Sequence, residues 1–348
     1  MELVLRNLLP VLFFCLFSFS VFGEGITVGI ASFSNQRIEQ SDDWIGHYIK
    51  ARLLENLKLS STWHFLSYNA VEHWKLSSQN QPNNLPAVDV FIQGEFQKVL
   101  NRCYLVATMH FPGGSGSNPK NIEKYFTCDS IEKEVDQLSF EVGRQIDVDY
   151  TEKIKGRSVD IRNKTIKRVL QYAANRWNHK GVPDKNALQI LQKEVTVEHG
   201  VLAVSELVLG MIILSQSLDL EERQPYLKHA ESILRKALLK YNKNALLHAL
   251  FSETLYLLES YPQWIEKEAV AAVSQNPYNE LGLLMLAVAR REDPEKRDVA
   301  LRKLEKITPW IWRKPGEKGV AYQNGIFDTF LNPFSPYERK KSNAKNQH

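Results

Sequence analysis

Cysteine is scarce in this chain, three residues in 348, and Cys15 falls inside an N-terminal apolar run. That leaves Cys103 and Cys128, with no CxxC and no histidine at ligand spacing from either, which excludes zinc-ribbon and zinc-finger sites. No HExxH occurs, and His47, His64, His73 and His110 are scattered. No glycine-rich loop ends in Gly-Lys-Ser/Thr, so that kind of phosphate cradle is absent. Gly113-Gly114-Ser115-Gly116-Ser117 lacks the final glycine of a nucleophile elbow and sits in a predicted hairpin tip. No metal or cofactor is expected. The net charge is only +4, and basic residues do not cluster with aromatics into a groove, so a nucleic-acid footprint is missing. After the N-terminus no apolar run reaches the roughly 20 residues of a membrane span. The longest, Val201 to Leu214, contains Ser205 and Glu206 and reads as a buried helix.

Leu8 to Phe19 is apolar apart from Pro10 and Ser18, follows Arg6, and leads to the small residues Val21 and Gly23. This predicts a secretory signal peptide over 1–23, cleaved after Gly23; an uncleaved anchor is the rival reading. Export makes an even cysteine pair a disulfide candidate. The expected address is the periplasm of a Gram-negative bacterium, free or peripherally associated with a membrane. The remaining chain is too long for one ordinary core, which predicts two domains.

Residues 24–150 read as an α+β domain with a mixed sheet. Ile26 to Ala31 is a first strand, and Ser41-Asp42-Asp43 offers a helix N-cap. Trp44, Ile45, Ile49, Leu53, Leu54 and Leu57 then fall on one helical face. Trp63 to Leu66 is a second strand, and Tyr68 to Leu76 a short helix. Val88–Val99, Cys103–Phe111 and Lys124–Cys128 are three consecutive strands, followed by a helix over Ser130–Ile146. The order is β-α-β-α-β-β-β-α. A hairpin centred near Gly116 sets Cys103 opposite about position 129, close enough to Cys128 for a disulfide.

Residues 157–309 read as all-α. A helix over Ile161–Trp177 and a second over Asn186–Val195 precede three helix pairs: Gly200–Ser217 with Glu222–Tyr241, Ala245–Ser260 with Gln263–Gln275, and Glu280–Glu292 with Pro294–Ile307. Tyr241-Asn242-Lys243-Asn244 is echoed by Asn276-Pro277-Tyr278-Asn279 at a step of 35 residues, and Thr308-Pro309 follows as a third break. Such steps mark helix-turn-helix units that bury their apolar faces by stacking. The second helix of each pair carries a clean apolar stripe, whereas the first is apolar nearly all round. A plain helical bundle is the alternative. Residues 310–348 read as an aromatic cap, with Trp310, Trp312, Phe327, Phe330 and Phe334, and a basic disordered tail.

Two resemblances follow. Phe33 and Asn35, then Asp42, Trp44, Ile45 and Gly46, and the run Val88 to Phe96 with Gly94 resemble the N-terminal domain of TolB and its relatives among curli-secretion and flagellar envelope lipoproteins. No propeller repeats follow, which separates the chain from TolB itself. Ala230 and Ala237 before Tyr241, Ala271 and Ala272 before Asn276, and Ala300 before Thr308 resemble degenerate tetratricopeptide repeats. Together they imply a non-catalytic scaffold or adaptor that binds protein partners in the cell envelope. A small-molecule receptor or enzyme using an inter-domain cleft is the alternative. Ser205, Glu206, His248, Glu253, Arg290 and Arg291 are the polar positions on the first helices and the candidate partner contacts.

Overall fold

The structure, a computed structural model, describes residues 25–36, 42–66, 71, 88–112, 118–151, 159–178 and 183–308. It is α+β at its N-terminal end and all-α thereafter. The expected leader, the helix over Tyr68–Leu76 save Val71, most of the linker, and the cap and tail lie outside the described residues.

Six strands form one mixed sheet. β1 (Thr27–Ile30) is central and parallel to β3 (His64–Phe65) on one side and β4 (Val90–Val99) on the other. The two-residue β2 (Ser34–Asn35) pairs parallel with β4. β4, β5 (Arg102–His110) and β6 (Lys120–Thr127) form an antiparallel meander. β6 begins four residues before the expected Lys124. Its alternation of exposed and half-buried residues is that of an edge strand with one wet face.

Cys103 and Cys128 are disulfide-bonded, with Cα atoms 5.1 Å apart. The register differs from the expected one: Cys103 lies opposite Phe126, and Cys128 reaches it from a 3-10 turn at the end of β6.

α1 (Trp44–Ser60) and α2 (Ile131–Ile146) pack together, and α2 crosses β6. Phe33 is wedged between α1 and β4, which explains two glycines. A Cβ on Gly46 would lie 1.9 Å from the Phe33 carbonyl oxygen, and one on Gly94 would lie 2.3 Å from the Phe33 ring.

Eight helices follow: α3 (Lys164–Asn178), α4 (Lys185–Glu194), α5 (Gly200–Ser215), α6 (Leu220–Lys240), α7 (Ala245–Leu257), α8 (Pro262–Gln275), α9 (Glu280–Ala289) and α10 (Pro294–Ile307). Each helix from α3 to α10 contacts the next, and α5, α7 and α9 also contact one another in series. Side-chain caps start most of them: Asp184, Asp219, Asn244, Asn279 and Asp293 each accept from a backbone N–H in the first turn. The inner helices are buried all round, as Glu280–Val288 of α9 shows. The outer helices bury one stripe, Ala300, Leu301, Leu304 and Ile307 in α10. Val197–Ser215 is long and apolar enough to cross a bilayer, but α5 is packed among α3, α4, α6 and α7, with Glu206 ion-paired inside.

α1 is not the one-faced helix that its apolar spacing suggests. His47, Lys50 and Arg52 are buried as well. Its N-terminal end meets α3, where Asp43 Oδ2 accepts from Asn178 Nδ2 at 2.8 Å and Lys167 lies 5.0 Å over the Trp44 ring. At its other end Lys58 feels the charge of Glu280 at the start of α9. Next to it, Asn276 donates to the Phe65 carbonyl at 2.8 Å, and His64 and Tyr278 rings lie 5.4 Å apart. The two parts thus meet at α3 and again around the start of α9, and one continuous hydrophobic core runs through both parts of the chain. Arg52 adds a buried polar tie. It bonds Asp136 on α2 at 2.9 Å and the Val159 carbonyl, ahead of α3, at 2.9 Å.

Candidate functional site

The six polar positions on the inner helices do not converge on one open surface. Ser205, Glu206 and Glu253 are buried. Ser205 Oγ donates to the Leu202 carbonyl at 3.0 Å, and Glu206 Oε2 binds Arg176 Nη2 on α3 at 2.6 Å. These three are corrected from groove contacts to interior groups. The reason is that α5, α7 and α9 have no free inner face. His248 bridges Glu268 at 2.6 Å and the Asn242 carbonyl at 2.9 Å, and the carboxylate raises the imidazole pKa above its ordinary value. Arg290 pairs with Glu266 at 2.7 Å. Only Arg291, with a 59% exposed side chain, stands well out in solvent.

Arg291 lines a cleft of about 530 Å³ at the C-terminal ends of α7 and α9, with Arg223, Tyr256, Tyr261, Pro262 and Ile265 among its walls. A larger cleft, about 630 Å³, lies where α1 meets α3 and α4. Its apolar surface comes from Trp44, Ala187, Ile190 and Leu191, and its polar surface from Arg168, Gln171, Asn175 and Glu194.

This second cleft is built by local rules. Asn163 Oδ1 accepts from Thr165 N at 2.9 Å and sets the start of α3; Asp184 Oδ1 does the same for α4 through Asn186 N at 2.9 Å. α3 then turns Ile166, Val169, Leu170 and Ala173 inward and leaves Arg168, Gln171 and Asn175 outside. α4 buries Leu188 and Leu191 but leaves Ile190 50% exposed over the cleft. Asp43 holds the third wall. The expected role of the Ser41-Asp42-Asp43 run was an N-cap, and Asp43 occupies that position without a side-chain cap bond. Its carboxylate instead accepts from Asn35 at 3.0 Å and Asn178 at 2.8 Å, clamping α1 to α3.

Arg168 and Glu194 are ion-paired across the cleft through Oε1. Glu194 Oε2 is buried with no hydrogen-bond partner among the described residues. The site thus offers an apolar floor, an exposed isoleucine and an acceptor in want of a donor. That chemistry suits a peptide segment with an apolar side chain and a backbone N–H. Tyr172 also lines it, and burial raises its phenol pKa, so it serves as a neutral wall. Sequence patterns give no sign of this site, because the Trp44 wall lies far along the chain from the α3 and α4 walls.

No known family model matches this chain, and no curated protein matches it.

Among the described residues no group of three or more His, Cys, Asp or Glu side chains is placed to hold a metal ion.

Proposed function

We propose that this protein is a non-catalytic adaptor of the bacterial cell envelope, exported to the periplasm, that holds protein partners on a rigid frame. The observation that carries this reading is the corner cleft of Trp44, Ile190, Gln171 and Glu194, formed where the two parts of the chain lock together. Enclosed ion pairs, Arg52 with Asp136 and Arg176 with Glu206, suit a frame that displays a fixed surface. The resemblances to the TolB N-terminal domain and to tetratricopeptide repeats point the same way. The partner surface moves, however, from the inner helices to the outside of the array.

A photo-crosslinking residue at position 190, in cells that make the protein natively, tests the reading. A discrete protein adduct at 190, absent when the same residue is placed at the exposed Leu239 on α6, is the expected result. Ile190→Asp should abolish capture and change stability by no more than about 0.5 kcal/mol, as for an exposed position. A cleft of this volume also fits a small ligand. A small molecule carried through purification and displaced by Ile190→Asp would favour a receptor or enzyme instead.

A further inference from the structure

The turn between β4 and β5 has only two residues, Leu100 and Asn101, since Val99 pairs with Arg102. Leu100 has φ 54°, the left-handed region where a hairpin turn ordinarily places glycine. A bulky residue there is strained. Its side chain gains no contact in return: Leu100 is 88% exposed, and Val99 beside it 44%. Two aliphatic side chains therefore stand in water at the tip of a hairpin, one of them in a conformation that costs stability. Strain kept at an exposed apolar residue points to a use outside the fold.

The surroundings grade outward from this tip. Arg102, next along the strand, is exposed and has no ion-pair partner among the described residues, whereas Lys98 is held by Asp42 at 3.3 Å. Two residues behind Arg102, about 7 Å at the usual strand rise, Tyr104 stacks on Tyr125 of β6 at 4.4 Å between ring centroids, and Tyr125 is 75% exposed. The Cys103–Cys128 bond and the Cys128 N–H to Asn101 carbonyl bond at 3.0 Å brace the tip from below. Aliphatic carbon, then a guanidinium, then tyrosine rings is the sequence of environments met on leaving a bilayer: acyl chain, phosphate, interfacial belt.

We infer that the β4–β5 tip docks on a phospholipid surface, with Val99 and Leu100 entering the acyl boundary and Arg102 meeting headgroup phosphate. Two aliphatic side chains bury less apolar surface than one acyl anchor, so the binding is weak and reversible and orients the protein more than it retains it. This site is separate from the corner cleft and does not depend on it.

Co-sedimentation of the full chain, as the producing cell processes it, with vesicles of phosphatidylethanolamine and phosphatidylglycerol tests the inference. The wild-type chain should partition onto the vesicles. Leu100→Gly should lower the partition coefficient about tenfold or more, while its melting temperature holds or rises, since glycine accepts the positive φ. Tyr125→Ser should give a smaller drop. Wild-type protein that stays in the supernatant at all lipid concentrations would overturn the proposal. So would Leu100→Gly that sediments like wild type. A tip that ignores vesicles but crosslinks to one protein would replace the lipid surface with a partner's pocket.

Discussion

The inner and outer sides of the helical array treat polar groups in opposite ways. Inside, Glu206 on α5 holds Arg176 on α3 with both side chains buried, as Arg52 on α1 holds Asp136 on α2 in the strand-and-helix part. Outside, ion pairs sit in solvent and can exchange, as Arg235 with Glu231 and Lys240 with Glu198 do. A stacked array of helix pairs ordinarily presents its concave face to a ligand. Here the inner helices α5, α7 and α9 are buried nearly all round and behave as core.

Removing one member of an interior pair gives the largest expected effect. Glu206→Leu takes its carboxylate away from the buried Arg176 guanidinium, and equilibrium denaturation should show a loss of about 3–5 kcal/mol. The double variant that also carries Arg176→Met should recover most of it. A Glu206→Leu protein as stable as wild type would mean that the interior is wetter than its packing shows, and the contrast with the rim would fail.

The disulfide sharpens the same contrast, because it is a peripheral feature with an interior-sized effect. Its sequence separation is 25 residues, and a loop of that size is worth about 3–4 kcal/mol in the chain-entropy model. Cys103→Ser with Cys128→Ser should lower stability by that order. Hydrogen exchange should then quicken in β5 and β6 before it quickens in α5.

His248 gives the smallest effect. Its folded pKa is raised by Glu268, so the pair contributes stability that is fully present below the ordinary histidine pKa and fades as pH rises through the folded value. Thermal melts should show a slightly lower midpoint near about pH 8 than near about pH 6, and His248→Gln should flatten that difference. A His248→Gln protein with an unchanged pH profile would show that the pair contributes nothing to stability.

Much of the architecture is legible in the sequence because it follows from local periodicity. Pro294 to Ile307 is a helix end to end as its apolar stripe and N1 proline indicate, and the meander β4-β5-β6 follows from the change of period after Val88. The all-round apolar first helices are also legible as buried, but not what buries them. Lys50 and Arg52 look like solvated charges on an amphipathic α1, and nothing local says that the chain will pack them inside. The candidate site fails for the same reason. Asp43 reads as a cap because capping is a short-range rule, whereas its bond to Asn178 joins residues 135 positions apart. The disulfide could be read because a hairpin brings its cysteines together by counting, and the count erred only in register.

The bonds around α1 also bear on how the two parts of the chain stay together. Its start is joined to α3 through Asp43 and Asn178, and Arg52 holds both Asp136 on α2 and the Val159 carbonyl ahead of α3. β3, which follows it, is bonded through the Phe65 carbonyl to Asn276, between α8 and α9. The two parts are thus riveted at separate places, and cutting the peptide chain between them should leave them associated.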